Sequence, residues 1–200
     1  NLRNNMDIRM NDRLNFRLDI AATYSRRAAN PYQSSVFGFM NSKDPLMLAH
    51  WSDGSYAPFT GGTVNPLPMI EQGVGGNNIR QNGVLKASAA LEYKPVQWLT
   101  LEVKAAPQLT AVKTHRFVDL VEYHSDPYGT VSKTSNAEYN SLDETVTAAW
   151  NGYYHATAAA TRQFGGHSFK LLVGASYEEY DYYSLGAYRQ EFAYPDYEVI

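Results

Sequence analysis

The sequence predicts an all-β chain: an antiparallel up-and-down meander of about six long strands forming part of a transmembrane β-barrel, with long outer loops that leave room for short helices. Three observations predict it. Apolar and polar residues alternate with period two, the alternating runs are longer than soluble strands, and short turns take turns with very long connections. On this reading residues 1–200 are one partial barrel. Its hairpins fall at about 2–27, 79–116 and 144–183, and its outer loops at about 28–78 and 117–143, spacings set by turn signals and by the period-two runs.

The first strand sets Leu2, Met6, Ile8 and Met10 against Arg3, Asn5, Asp7 and Arg9. Asn11 and Asp12 supply a tight turn. Leu14, Phe16, Leu18, Ile20, Ala22 and Tyr24 then alternate with Arg13, Asn15, Arg17, Asp19, Ala21 and Thr23. A second hairpin repeats the pattern, with Leu85, Ala87, Ala89, Leu91 and Tyr93 against Lys86, Ser88 and Glu92, a turn through Pro95 and Gln97, and a return through Leu99, Leu101, Val103 and Ala105. The third runs from about Thr145 to Phe164, turns at Gly165 and Gly166, and returns through Phe169, Leu171, Val173, Ala175 and Tyr177.

Alternation alone fits a soluble β-sandwich equally well, because there too one sheet face is apolar. Length discriminates better. The run from Arg13 to Arg27 would span about 50 Å at ~3.4 Å per residue, nearly 40 Å of height at ~40° tilt, whereas soluble strands average about 5 to 6 residues and the apolar band of an outer-membrane barrel is ~25 Å. Connections of the length seen at 28–78 and 117–143 are rare inside compact domains. In outer-membrane barrels short turns face the periplasm and long loops face outward, which places Asn11, Pro95 and Gly165 at the periplasmic rim.

Composition narrows the function classes. Sixteen Tyr and three Trp accompany a charged fraction of only 18 % and a negative mean hydropathy. The chain is therefore polar through amides, hydroxyls and Tyr rather than charge. A net charge of −3, with scattered basic residues, gives no basis for nucleic-acid binding. The absence of Cys excludes disulfides and thiolate metal sites. No apolar run approaches the ~20 residues of a transmembrane helix. No signal peptide opens the chain, which reads as cut from a longer protein. Tyr24, Trp98, Tyr177 and Tyr180 fall where aromatic girdles are expected, since amphipathic rings favour the headgroup level. Arg13, Arg17 and Asp19 stand on the polar strand face and are expected to line the lumen.

The loops carry the candidate chemistry. Trp51, Tyr56 and Phe59 in the first, and Tyr123, His124 and Tyr128 in the second, are candidates for contact with sugar rings or peptide side chains, against the plainer reading that long loops pack on their own aromatics. Asp119, Glu122, His124 and Asp126 crowd one loop, yet nothing in the sequence fixes the geometry that acid–base work requires, so no catalytic role is assigned and the chain is not read as an enzyme. His50, His115, His155 and His167 are dispersed and fit no metal motif. Gly61, Gly62, Gly73, Gly75 and Gly76 lack the Lys and Ser/Thr of a phosphate loop and read as flexible loop. No metal and no cofactor is implied.

The chain resembles the barrel portion of a SusC-like (RagA-like) TonB-dependent transporter of the type found in Bacteroidota. The residues that carry the resemblance are the opening hairpin from Asn4 to Tyr24 with Arg26 and Arg27 at its end, then Asp53, Gly54, Tyr56, Asn65 and Pro66, then Leu91, Tyr93, Lys94, Pro95, Trp98 and Leu99, and last Phe164, Gly165, Gly166 and His167 leading to Leu172, Val173 and Gly174. The resemblance covers almost the whole chain and implies a large bacterial outer-membrane barrel that imports oligosaccharides or peptides. It further implies partners: outer-membrane lipid, a SusD-like lipoprotein closing the barrel from outside, a glycan or peptide substrate, and the TonB complex reached through an upstream plug domain. Two other readings stay open, a secreted carbohydrate-binding β-sandwich and a fragment of a glycan-degrading enzyme.

Overall fold

The computed structural model describes residues 1–34, 36–41, 46–58, 65–71, 74–134 and 137–194. Among the described residues nine strands carry the fold: β1 Leu2–Asn11, β2 Leu14–Ala29, β3 Gly76–Val96, β4 Leu99–Ala105, β5 Gln108–Val118, β6 Glu122–His124, β7 Val131–Thr134, β8 Ser141–Phe164 and β9 His167–Gln190. Their pairing is a meander. In the main sheet β1 pairs β2, β2 pairs β3, and β8 pairs β9, while β4 and β5 each pair both β3 and β8 and so share one lane. The six expected lanes are therefore present. The sequence places a single strand in the fourth lane, running on to about residue 116; the structure divides it into β4 and β5. Pro107, which has no N–H, breaks that strand, yet Ala106 N donates to Tyr153 O (2.7 Å) and Ala87 N donates to Pro107 O (3.0 Å), so the ladder holds on both sides.

Register shows how alternation becomes two faces. Met6 lies opposite Leu18 and Ile8 opposite Phe16, while Asp7 lies opposite Arg17 and Asn5 opposite Asp19. Leu91 and Tyr93 meet Val103 and Leu101, and Val103 in turn meets Ala156. On the opposite face Glu102 meets Glu92 and Thr157, and Lys104 meets His155. The turns differ by a residue or two from expectation. Asn11 Oδ1 accepts from Arg13 N (2.8 Å) and Arg9 pairs with Asp12 (2.7 Å), which moves the first turn to Asp12 and Arg13. A register shift between Tyr93 and Val96 lets β3 run through Pro95, so the second turn is Gln97 and Trp98.

The described residues divide into two compact units, and strands β2, β3, β5, β8 and β9 contribute to both. The first (1–25, 82–112, 147–184) is sheet with almost no buried side chain. The second (26–81, 113–146, 185–200) holds the cores. One core joins Tyr32, Val36, Met69 and Val118, with Phe39 packed against it. Another joins Phe117, Leu142 and Phe192, the two Phe rings edge to face at 5.7 Å. The helix α1 (Val36–Asn41) and a 3-10 turn (Leu67–Met69) lie in the first long loop, and β6 and β7 form a small hairpin in the second. Burial of Leu142 explains why β8 starts before the alternating run at Thr145.

Gly75 and Gly76 are not flexible-loop residues. Gly76 adopts φ +102°, and a Cβ there would lie 2.2 Å from Phe117 O, so only glycine lets β3 begin against β5. Gly61, Gly62 and Gly73 lie outside the described residues.

Candidate functional site

The second unit ties its two long loops together through backbone and side-chain donors. His50 and Tyr56 form an isolated antiparallel bridge, and their rings lie 5.1 Å apart. Trp51 Nε1 donates to His124 O (2.7 Å), and His124 N donates to Tyr56 O (2.9 Å). Asn65 organises the layer beneath. Only 1 % exposed, it donates from Nδ2 to Ala49 O (2.7 Å) and Ala57 O (3.0 Å), accepts Leu67 N at Oδ1 (3.1 Å), and offers its carbonyl to the Tyr123 hydroxyl (3.2 Å). The Tyr56 hydroxyl donates to the Glu71 carboxylate. Burial, then that carboxylate, pushes the Tyr56 phenol up to about 12.

Trp51, Tyr56, Tyr123 and His124 are thus brought together, but in different roles. Tyr123 is 2 % exposed and its ring fills the interior of the loop layer, which also pushes its phenol up. It packs rather than presenting a face. Trp51, Tyr56 and His124 are half-buried. Tyr128 stands apart, 92 % exposed at the tip between β6 and β7, where Asp126 Oδ1 accepts Tyr128 N (2.9 Å) and Thr130 N (3.3 Å). The Thr130 side chain first, and then these backbone donors, hold the Asp126 carboxyl below the usual range. Phe59 lies outside the described residues.

In the first unit the polar face carries a linked set. Arg17 donates to Glu102 (2.7 Å), whose other oxygen meets His155 Nε2 (3.1 Å). Asp19 shares this face opposite Asn5, and Arg13 occupies the first turn, where its carbonyl accepts Lys94 N (2.7 Å). On the apolar face, Trp150 Nε1 (2.8 Å) and the Tyr154 hydroxyl (3.2 Å) both donate to Glu179, and Tyr154 stacks on Tyr177 at 6.1 Å. Glu179 lies flat across Gly152, where a Cβ would sit 2.7 Å from its carboxylate. Tyr180 departs from the expected girdle. Three residues along a strand reverses the face, so Tyr180, stacked with Tyr182 at 6.5 Å, stands on the polar side opposite Tyr177. Tyr24 is exposed, and Trp98 lies under the Arg162 guanidinium at 5.1 Å.

One site was not read from the sequence. In the second unit an open cleft of about 440 Å³ is lined by Arg27, Asn30, Gln33, Asn78, Arg80 and Thr114, among others. Its two arginines come from neighbouring strands but lie far apart in the chain, and only the β2–β3 pairing reveals them as a pair.

No protein-family model and no curated protein matches the chain. Among solved structures it is similar to a chain of the RagAB peptide importer in its closed-closed state, with a TM-score of 0.68 and 14 % identity over 98 % of this chain. A second structure of the RagAB peptide transporter gives 0.66 and 14 % over 95 %. This chain has the fold of a stretch of those transporter chains, and it spans 22 % and 21 % of their lengths.

Proposed function

We propose that the chain forms part of the wall and outer loops of a bacterial outer-membrane importer of oligosaccharides or peptides, driven through TonB and capped by a SusD-like lipoprotein. The carrying observation is the apolar sheet face. Leu2, Met6, Ile8, Ile20, Leu91, Tyr93, Val103, Phe169, Leu171 and Val173 are exposed along the first unit, and among the described residues no second layer covers them. A soluble domain rarely leaves so extended an apolar surface in water. A bilayer covers it without a partner sheet, and the charged face then lines an aqueous lumen. Strand length agrees: β8 and β9 have 24 residues each, about 80 Å at ~3.4 Å per residue, enough to cross an apolar band of ~25 Å at barrel tilt and project beyond it. Substrate contact is assigned to Trp51, Tyr56, His124 and Tyr128, the partly or fully exposed members of the predicted set.

Both β1 and β9 present a free edge within the described sheet, a template for pairing with other strands. Residues 1–200 expressed alone are therefore expected to aggregate without detergent, and the intact protein to fractionate with outer membranes. A detergent-free, cooperatively melting monomer of residues 1–200 would overturn the reading.

A further inference from the structure

The cleft at Arg27 and Arg80 departs from what a purely structural wall requires. Both arginines are exposed, line one cleft, and come from strands that are hydrogen-bonded neighbours. Like charges opposite one another on neighbouring strands are destabilising, whereas opposite charges there are favourable. Among the described residues no acid lines this cleft, the carboxylate of Glu71 lining instead an adjoining one that shares Arg27, and neither arginine side chain has an ion-pair or hydrogen-bond partner. Some cations of the same chain do have an acid: Arg17 has Glu102, Arg9 has Asp12 and Lys113 has Glu144.

The rest of the lining is amide and hydroxyl. Asn30 is committed to the fold, since its Nδ2 donates to Val74 O (2.9 Å) and its Oδ1 accepts Tyr32 N (3.0 Å). That commitment braces the floor beside Arg27. Gln33 and Ser34 are exposed, and Asn78 and Thr114 are half-buried, so neutral donors and acceptors flank the two cations. A guanidinium presents a planar fork of N–H donors that matches a carboxylate in a bidentate manner. Two such forks flanked by amides and hydroxyls suit a carboxylate carried on a polar chain.

We infer that Arg27 and Arg80 form a carboxylate-binding subsite for an acidic solute, which completes an otherwise uncompensated pair of charges. This rests on the importer reading, in which Arg27, with the same strand parity as Arg17 and Asp19, faces the lumen. Two sources share the chemistry: the C-terminal or side-chain carboxylate of a peptide, and the uronate of an acidic oligosaccharide.

The test is titration calorimetry on the intact protein in detergent, with four probes: a short peptide, its C-terminal amide, a uronic-acid disaccharide and its neutral counterpart. Whichever class binds, the acid-bearing member is expected to bind at least ten-fold more tightly than its neutral partner and to weaken with added salt. Arg27→Gln and Arg80→Gln are each expected to remove that preference without changing affinity for the neutral member. Arg80→Lys, which keeps the charge but loses the fork, is expected to restore it in part. The peptide and disaccharide arms separate the two sources. Equal binding of acid and neutral partners, or an acid preference that survives both Gln substitutions, overturns the inference while leaving the importer reading intact. Absence of the protein from the outer membrane, measured separately by fractionation, would overturn the importer reading instead. Unchanged heat-modifiability of each variant on gels confirms that the barrel has folded.

Discussion

Tyr56 is held by two effects that act in the same direction. Burial disfavours the phenolate, and the Glu71 carboxylate accepting its proton disfavours it further, so the phenol rises to about 12 from an ordinary value of ~10. The sign of the linkage follows. Between those two values the folded state holds a proton that the unfolded chain has released, so the contribution of this pair is complete below pH ~10 and is lost as pH rises toward 12. Alkaline unfolding of the loop layer, followed by ultraviolet phenolate titration, should therefore lose a late-titrating component in Tyr56→Phe. A Tyr56 phenol that ionised near pH 10 would contradict this. His124 N donates to Tyr56 O and Trp51 Nε1 donates to His124 O, an arrangement that depends on two loops meeting and leaves no trace in sequence spacing.

At the scale of elements, Asn140 does for β9 what a neighbouring strand would do. It lies just before β8, and its side chain donates to Phe192 O (2.9 Å) and accepts Phe192 N (2.7 Å), while its carbonyl accepts Glu191 N (3.0 Å). The chain beyond β9, where Glu191 takes φ 63°, is thereby folded onto Leu142 and Phe117. Asn140→Ala removes two of those bonds and leaves buried backbone groups unpaired, at a cost of about 2 to 4 kcal/mol. Faster amide exchange at residues 190–193, with β8 unaffected, would report it.

The strands are legible where one-residue alternation is kept, as in 2–24, 85–105 and 169–177, and less so in 145–164, where Ala, Thr and Gly occupy both faces. What escaped depended on partners. The break at Pro107, inside what reads as one strand up to about 116, shows only in the flanking ladders. The β6–β7 hairpin is short and non-alternating. The facing of Tyr180 was available from parity alone, since residues three apart on a strand cannot share a face. Arg27 and Arg80 meet only through sheet order.

For the whole molecule, the two faces make opposite demands on substitution. Val103→Lys places a charge among Leu91, Leu101 and Ala156, and in a bilayer it should destabilise by up to about 2 to 4 kcal/mol, depending on depth. Thr157→Lys, on the face of Glu102, should be nearly silent. Guanidinium unfolding of the intact protein in liposomes separates the two, and equal effects would remove the distinction between lipid and lumen. Glu179 gives this difference a vertical coordinate. A carboxylate on the apolar side cannot sink into hydrocarbon without forfeiting its hydration, and the Trp150 and Tyr154 donors replace only part of that water. If the chain is the barrel wall proposed above, Glu179, laid flat over Gly152, would act as a waterline mark: the wall could rise or tilt, but would settle no deeper than the level at which Glu179 still touches the headgroups.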